Sequence, residues 1–136
     1  MAFPLVLLAE DDTSLRQLIA LHLSKLGMTV VEVSDGAALH DYLTRARPGG
    51  ETPDPDIIVS DVDMPGETGP RAIERANFLR APVVLITAAP ETELRKGHVG
   101  VVEILKKPFS MKQLVTTIRR FTCLSRDREL ASAAAR

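Results

Sequence analysis

Six residues could cooperate in one reaction if folding brought them together: Glu10 and Asp11 in "LLAEDD", Asp61 and Asp63 in "IIVSDVDMPG", Thr87 in "VVLITAA" and Lys107 in "LKKPF". All lie at or just beyond the end of an apolar run, and such runs read as buried strands. A charge at the end of a buried strand is tolerated only when it is paired or bound to a cation. Should the carboxylates of Glu10, Asp11 and Asp61 come within about 4 Å of one another, each pair would repel by roughly 4 kcal/mol at an effective dielectric near 20. Three hard oxygen donors suit a small divalent cation that keeps several waters, magnesium rather than zinc, which would want His or Cys. Asp61, with one oxygen on the metal and the other free, then becomes a nucleophile toward phosphorus. Lys107 and the Thr87 hydroxyl would cradle the phosphoryl oxygens, because phosphoryl transfer is catalysed mostly by positioning and by neutralising charge.

Alternating apolar runs and helical spacings must place these residues. Strands are expected over 4–9, 29–33, 56–60, 83–87 and 101–106. Leu15, Leu18, Ile19, Leu23 and Leu26 recur at helical spacing between Asp12 or Thr13 as the N-cap and Gly27 as the stop. Asp35-Gly36 reads as a turn before a helix over 38–46, and Pro70 as the first turn of a helix reaching about residue 79. Residues 91–96 leave room for barely two helical turns. Ser110 is expected to cap a last helix whose apolar face is Leu114, Val115, Ile118 and Phe121. Five strand–helix units with continuous apolar strands predict an α/β doubly wound domain, a parallel sheet covered on both faces. Working residues in such sheets gather at the carboxyl ends of the strands.

The length of 136 residues fits one domain, expected over 1–121, with a helical or disordered tail over 122–136. A net charge of −1 gives no global basic footprint for nucleic acid, and Arg119, Arg120, Arg126 and Arg128 read as a solvated face. The single cysteine, Cys123, cannot form an internal disulfide and reads as a bystander near a helix end. His22, His40 and His98 fall on or beside helices without ligand spacing and are expected to be structural or surface residues. Lys106 should point away from Lys107 by strand alternation. No apolar run approaches the ~18 residues of a membrane helix, and the opening "MAFPLVLLAEDD" breaks into acids rather than a cleavage site. A soluble cytoplasmic protein is expected.

Taken together, Glu10-Asp11 after "VLLA", Asp61 with Met64-Pro65 and Gly69, Thr87-Ala88 after "VVLI" and Lys107-Pro108-Phe109 make the stretch from Leu5 to Phe121 resemble the receiver domain of bacterial two-component response regulators. The resemblance implies a flavodoxin-like sheet of strand order 2-1-3-4-5. It also implies Asp61 as acceptor of a phosphoryl group from the phosphohistidine of a sensor histidine kinase or histidine phosphotransfer protein. Glu10 and Asp11 would hold Mg²⁺, Asp11 more directly, with the backbone carbonyl of Asp63 completing the protein ligands and a cis peptide joining Lys107 to Pro108. The implied output is phosphorylation-dependent binding of a downstream protein by a stand-alone receiver, with room for a phosphorylation-dependent dimer and no direct contact with nucleic acid or membrane. Such a protein catalyses its own phosphorylation and slow dephosphorylation rather than turning over a small substrate. Three positions depart from the pattern: Ile104 replaces the usual aromatic, Thr68 replaces an acid, and the 91–96 helix is short. Two alternatives remain. One is an unphosphorylated docking module; the other is a haloacid-dehalogenase-like phosphatase, although the Asp-x-Asp of that class follows the first strand and here it follows the third.

Overall fold

The computed structural model describes residues 4–89 and 100–134. In chain order its elements are β1 (Leu5–Ala9), α1 (Thr13–Lys25), β2 (Thr29–Val33), α2 (Gly36–Arg45), β3 (Ile57–Asp61), α3 (Gly69–Ala76), β4 (Val83–Thr87), β5 (Val101–Lys106) and α4 (Met111–Ala134). The strands form one parallel sheet in the order β2-β1-β3-β4-β5, the expected flavodoxin-like arrangement. Residues 91–96, expected to be helical, and His98 lie outside the described residues.

Side chains alternate across a strand, so each strand serves two cores. Val6, Leu8, Ile57, Val59, Val84 and Ile86 pack with Ile19 and Leu23 of α1 and Leu114 and Ile118 of α4. Leu7, Ala9, Ile58, Val83 and Leu85 pack on the other side with Leu39 and Leu43 of α2 and Ala72 and Ile73 of α3. Every residue of β3 and β4 is buried, which is why those runs carry no polar alternation until their last residues.

Several boundaries differ from expectation, each for a local reason. Asp35 is a helix cap rather than a turn residue: its carboxylate accepts the Ala38 N–H at 2.7 Å, and α2 begins at Gly36. β3 starts one residue later and ends at Asp61, because the Asp56 side chain accepts the Leu5 N–H at 2.7 Å while Asp61 is in register with Ile86. α3 stops at Ala76 instead of reaching residue 79: Asn77 takes the left-handed conformation at φ 53°, which caps the helix and turns Phe78 into the core. Asp12 caps α1 through Leu15 N–H at 3.1 Å and Ser110 caps α4 through Gln113 N–H at 3.0 Å, both as expected. The backbone of α4 is helical from Met111 through Ala134.

Gly36 sets how closely α2 can approach the loop after β3. A Cβ there would run into the carbonyl oxygen and Cβ of Glu67, and Glu67 is itself held by a two-pronged pair with Arg75 at 2.8 and 3.0 Å. Helix propensity alone would make Gly36→Ala stabilising by up to about 1 kcal/mol. The contact reverses that sign, and urea denaturation should show Gly36→Ala less stable than wild type by about 1–3 kcal/mol, the usual cost of overpacking.

Candidate functional site

The carboxyl ends of β1 and β3 lie side by side, with Ala9 in register with Ser60. The residues that follow therefore meet. Glu10 is fully buried, its N–H donating to the Val33 carbonyl at 3.1 Å, and Asp61 is 4% exposed, while Asp11 is exposed to solvent. One carboxylate oxygen from each of Glu10, Asp11 and Asp61 lies within 4.8 Å of the other two. Lys107 arrives from the end of β5, where its N–H donates to the Thr87 carbonyl at 2.8 Å. Its Nζ sits 3.2 Å from Glu10 Oε2 and 3.3 Å from Asp61 Oδ2. The Lys107–Pro108 peptide is cis, as expected.

Burial pushes the Asp61 carboxyl up, and the neighbouring Glu10 pushes it further; Lys107 opposes both, and the balance lies at about 7. Burial also pulls Lys107 down, but Asp61 and Glu10 outweigh it and hold the ammonium above its ordinary range. Glu10 Oε1 accepts the Asp12 N–H at 3.2 Å, whereas Oε2 is buried and accepts no hydrogen bond of good geometry, the nearby Nζ notwithstanding. A buried carboxylate oxygen left in that state is costly unless something else coordinates it. The donor set fits a hard divalent cation: three carboxylates, no nitrogen or sulfur, one fully buried acid with an unsatisfied oxygen and one acid open to solvent and its waters.

The family profile described as "Response regulator receiver domain" matches residues 6–119. The chain belongs to the response regulator receiver family. Among curated relatives, the transcriptional regulatory protein PdtaR of Mycobacterium tuberculosis is 33% identical over 131 residues, covering 93% of this chain and 60% of the relative. The DNA-binding transcriptional regulator NtrC of a Bradyrhizobium species is 30% identical over 127 residues, covering 90% of this chain and 25% of the relative. This receiver thus spans from a quarter to three fifths of those two proteins. A solved structure of the chemotaxis protein CheY4 of Vibrio cholerae superimposes with a TM-score of 0.74 at 28% identity, covering 88% of this chain and 99% of that one. A CheY-like receiver from Methanospirillum hungatei shares the fold with a TM-score of 0.81 at 16% identity, covering 93% and 99% of the two chains.

Of the six residues singled out in the sequence, Glu10, Asp11, Asp61 and Lys107 form one cluster in this receiver. Thr87 is buried at the end of β4 with its hydroxyl accepting the Ala89 N–H at 3.0 Å, and among the described residues its proton has no acceptor. Asp63 is exposed two residues beyond Asp61, and Lys106 points outward as alternation requires. His22 is exposed on α1 and His40 half-buried on α2, and neither belongs to the carboxylate cluster. Ile104 is half-buried against the α2–α3 core. Thr68, the other departure from the family pattern, caps α3 by accepting the Arg71 N–H at 3.3 Å.

Ser60 and Arg16 escaped the sequence reading, and Gly69 entered it only as part of the family pattern. The Ser60 hydroxyl donates to the Asp61 carbonyl at 2.9 Å, and Gly69 packs so closely that a Cβ would strike both of those groups. Arg16 donates to the Glu10 carbonyl at 2.9 Å. A serine inside a β-branched run and a glycine after a loop were available as signals, but their partners are visible only in three dimensions.

The raised carboxyl of Asp61 has a stability consequence. An unfolded aspartate ionises near 3.8 and the folded one near 7, so between those values the folded state binds the extra proton and stability falls as pH rises. The loss is complete above about 7 and absent below about 4. Denaturant titrations in chelator should show Asp61→Asn matching wild type near pH 4 and exceeding it in stability at pH 8.

Proposed function

We propose that this receiver accepts a phosphoryl group on Asp61 and, so modified, binds a downstream protein. The observation that carries the reading is the meeting of a buried aspartate, two further carboxylates and a lysine ammonium at one sheet edge. Glu10, Asp11 and Asp61 would hold Mg²⁺, with the Asp63 carbonyl as a further ligand. Magnesium bound there would neutralise the acids and draw charge from the phosphoryl oxygens.

The donor is a phosphohistidine on a sensor kinase or phosphotransfer protein. An Asp61 carboxylate oxygen attacks phosphorus, the P–N bond to the imidazole breaks, and the imidazole leaves with the electron pair and takes up a proton from water. Asp61 must be ionised to attack. Lys107, which now shares its charge between Glu10 and Asp61, would turn to the phosphoryl group, and the Thr87 hydroxyl would donate to a second phosphoryl oxygen. The partner would read the shift of the segment after Thr87, since Ile104 is branched and restricted at χ1 and cannot make a large aromatic swing.

Incubation with Mg²⁺ and a small phosphoramidate should add the mass of one phosphoryl group, with no gain in chelator and none in Asp61→Asn. Absence of labelling in wild type under conditions that label other receivers would favour the docking-module reading, and continuing release of phosphate from a phosphomonoester would favour a phosphatase. Lys107→Ala removes a cation from the cluster. Calorimetric titration should find that it binds Mg²⁺ at least as tightly as wild type, while amide exchange around Thr87 no longer responds to beryllofluoride.

A further inference from the structure

Arg16, in the first turns of α1, has no role in the chemistry above, yet its side chain is only 15% exposed and its guanidinium is engaged at both ends. Nη1 donates to the Glu10 carbonyl at 2.9 Å, and Nε lies 3.3 Å from Glu32 Oε1 on β2. Glu32 is in register with Leu8 of β1, so the arginine spans from the edge strand to the point where β1 ends. The Glu10 carbonyl belongs to the peptide unit joining Glu10 to Asp11. Its plane sets the directions in which the two acids leave the main chain. The other fixed points of this stretch are the Glu10 N–H on Val33 and the Asp12 N–H on Glu10 Oε1.

We infer that Arg16 is a positioning residue for the acid pair: by gripping the Glu10 carbonyl while anchored on Glu32, it holds Glu10 and Asp11 in the arrangement that receives the cation, without touching cation or phosphoryl group. The inference rests on the divalent-cation reading of the site. Charge alone predicts the opposite effect, since a guanidinium near a cation site should weaken cation binding and its removal should strengthen it. A surface ion pair of purely structural value would leave metal affinity unchanged. Glu32 offsets the guanidinium charge, which leaves its geometry as the dominant contribution. Lysine keeps the charge but lacks the planar fork that spans two partners.

The test is calorimetric Mg²⁺ titration of the full chain as wild type, Arg16→Ala and Arg16→Lys, with amide exchange of the metal-free proteins. Arg16→Ala should lower Mg²⁺ affinity about tenfold, the low end for losing a group that orients metal ligands, and should speed exchange at the Asp12 amide. Arg16→Lys should recover part of the affinity, and phosphoramidate labelling of Arg16→Ala at saturating Mg²⁺ should approach the wild-type rate. Unchanged or tighter Mg²⁺ binding in Arg16→Ala overturns the inference. If that variant does not fold, Arg16→Lys decides, because it keeps the charge and loses only the fork: a smaller loss of affinity is expected, and an unchanged affinity overturns the inference. Wild type that binds no Mg²⁺ would remove the cation reading itself and this inference with it; wild type that binds while the variants match it removes the inference alone.

Discussion

Mutual repulsion among Glu10, Asp11 and Asp61 is the constraint around which this receiver is organised. Two of these acids are buried, and nothing in a protein interior favours bringing them together. The parallel register of β1 and β3 does so regardless, because the side chains that ensure it, from Val6 and Ile57 up to Ala9 and Ser60, are all fully buried and leave the strands no alternative offset. Hydrophobic packing holds the charges in place, and Lys107 makes the arrangement tolerable.

Supports around the acids act on the main chain more than on the carboxylates. Ser60 and Gly69 secure the peptide after Asp61, and Arg16 secures the peptide after Glu10. Gly36 lets α2 close against the loop that follows Asp61. With the main chain held in this way, the carboxylate oxygens keep their spacing, which is what the proposed exchange of a cation and a phosphoryl group would require.

Much of this was legible in the sequence. The β-branched run 57–59 and the acids after it announced a buried strand ending in charge, and capping chemistry placed the starts of α1 and α4. The end of α3 was misjudged because Phe78 and Leu79 continued the apolar pattern; Asn77, which tolerates φ > 0, was the competing signal and prevailed. Asp35 was read as a turn because Asp-Gly commonly is one, although an aspartate three residues before a free N–H is equally a cap. Arg16 could not have been found, since its partners Glu10 and Glu32 become neighbours only when β2 pairs with β1. The complete burial of Glu10 and the turn of the Thr87 hydroxyl toward Ala89 depend likewise on tertiary packing.

The strands that carry the site differ in how firmly they are held. Glu10 and Asp61 are borne by β1 and β3, each flanked by two other strands, whereas Lys107 follows β5, which pairs with β4 alone and whose register slips once between Val83 and Val84. Local opening begins where a strand has fewest neighbours. The internal cation can therefore leave the cluster by fraying of one outer strand while the acids stay locked in the sheet interior. The charge balance of the cluster is in this way coupled to the breathing of β5, and any partner that grips that border would stiffen it and slow the departure of Lys107.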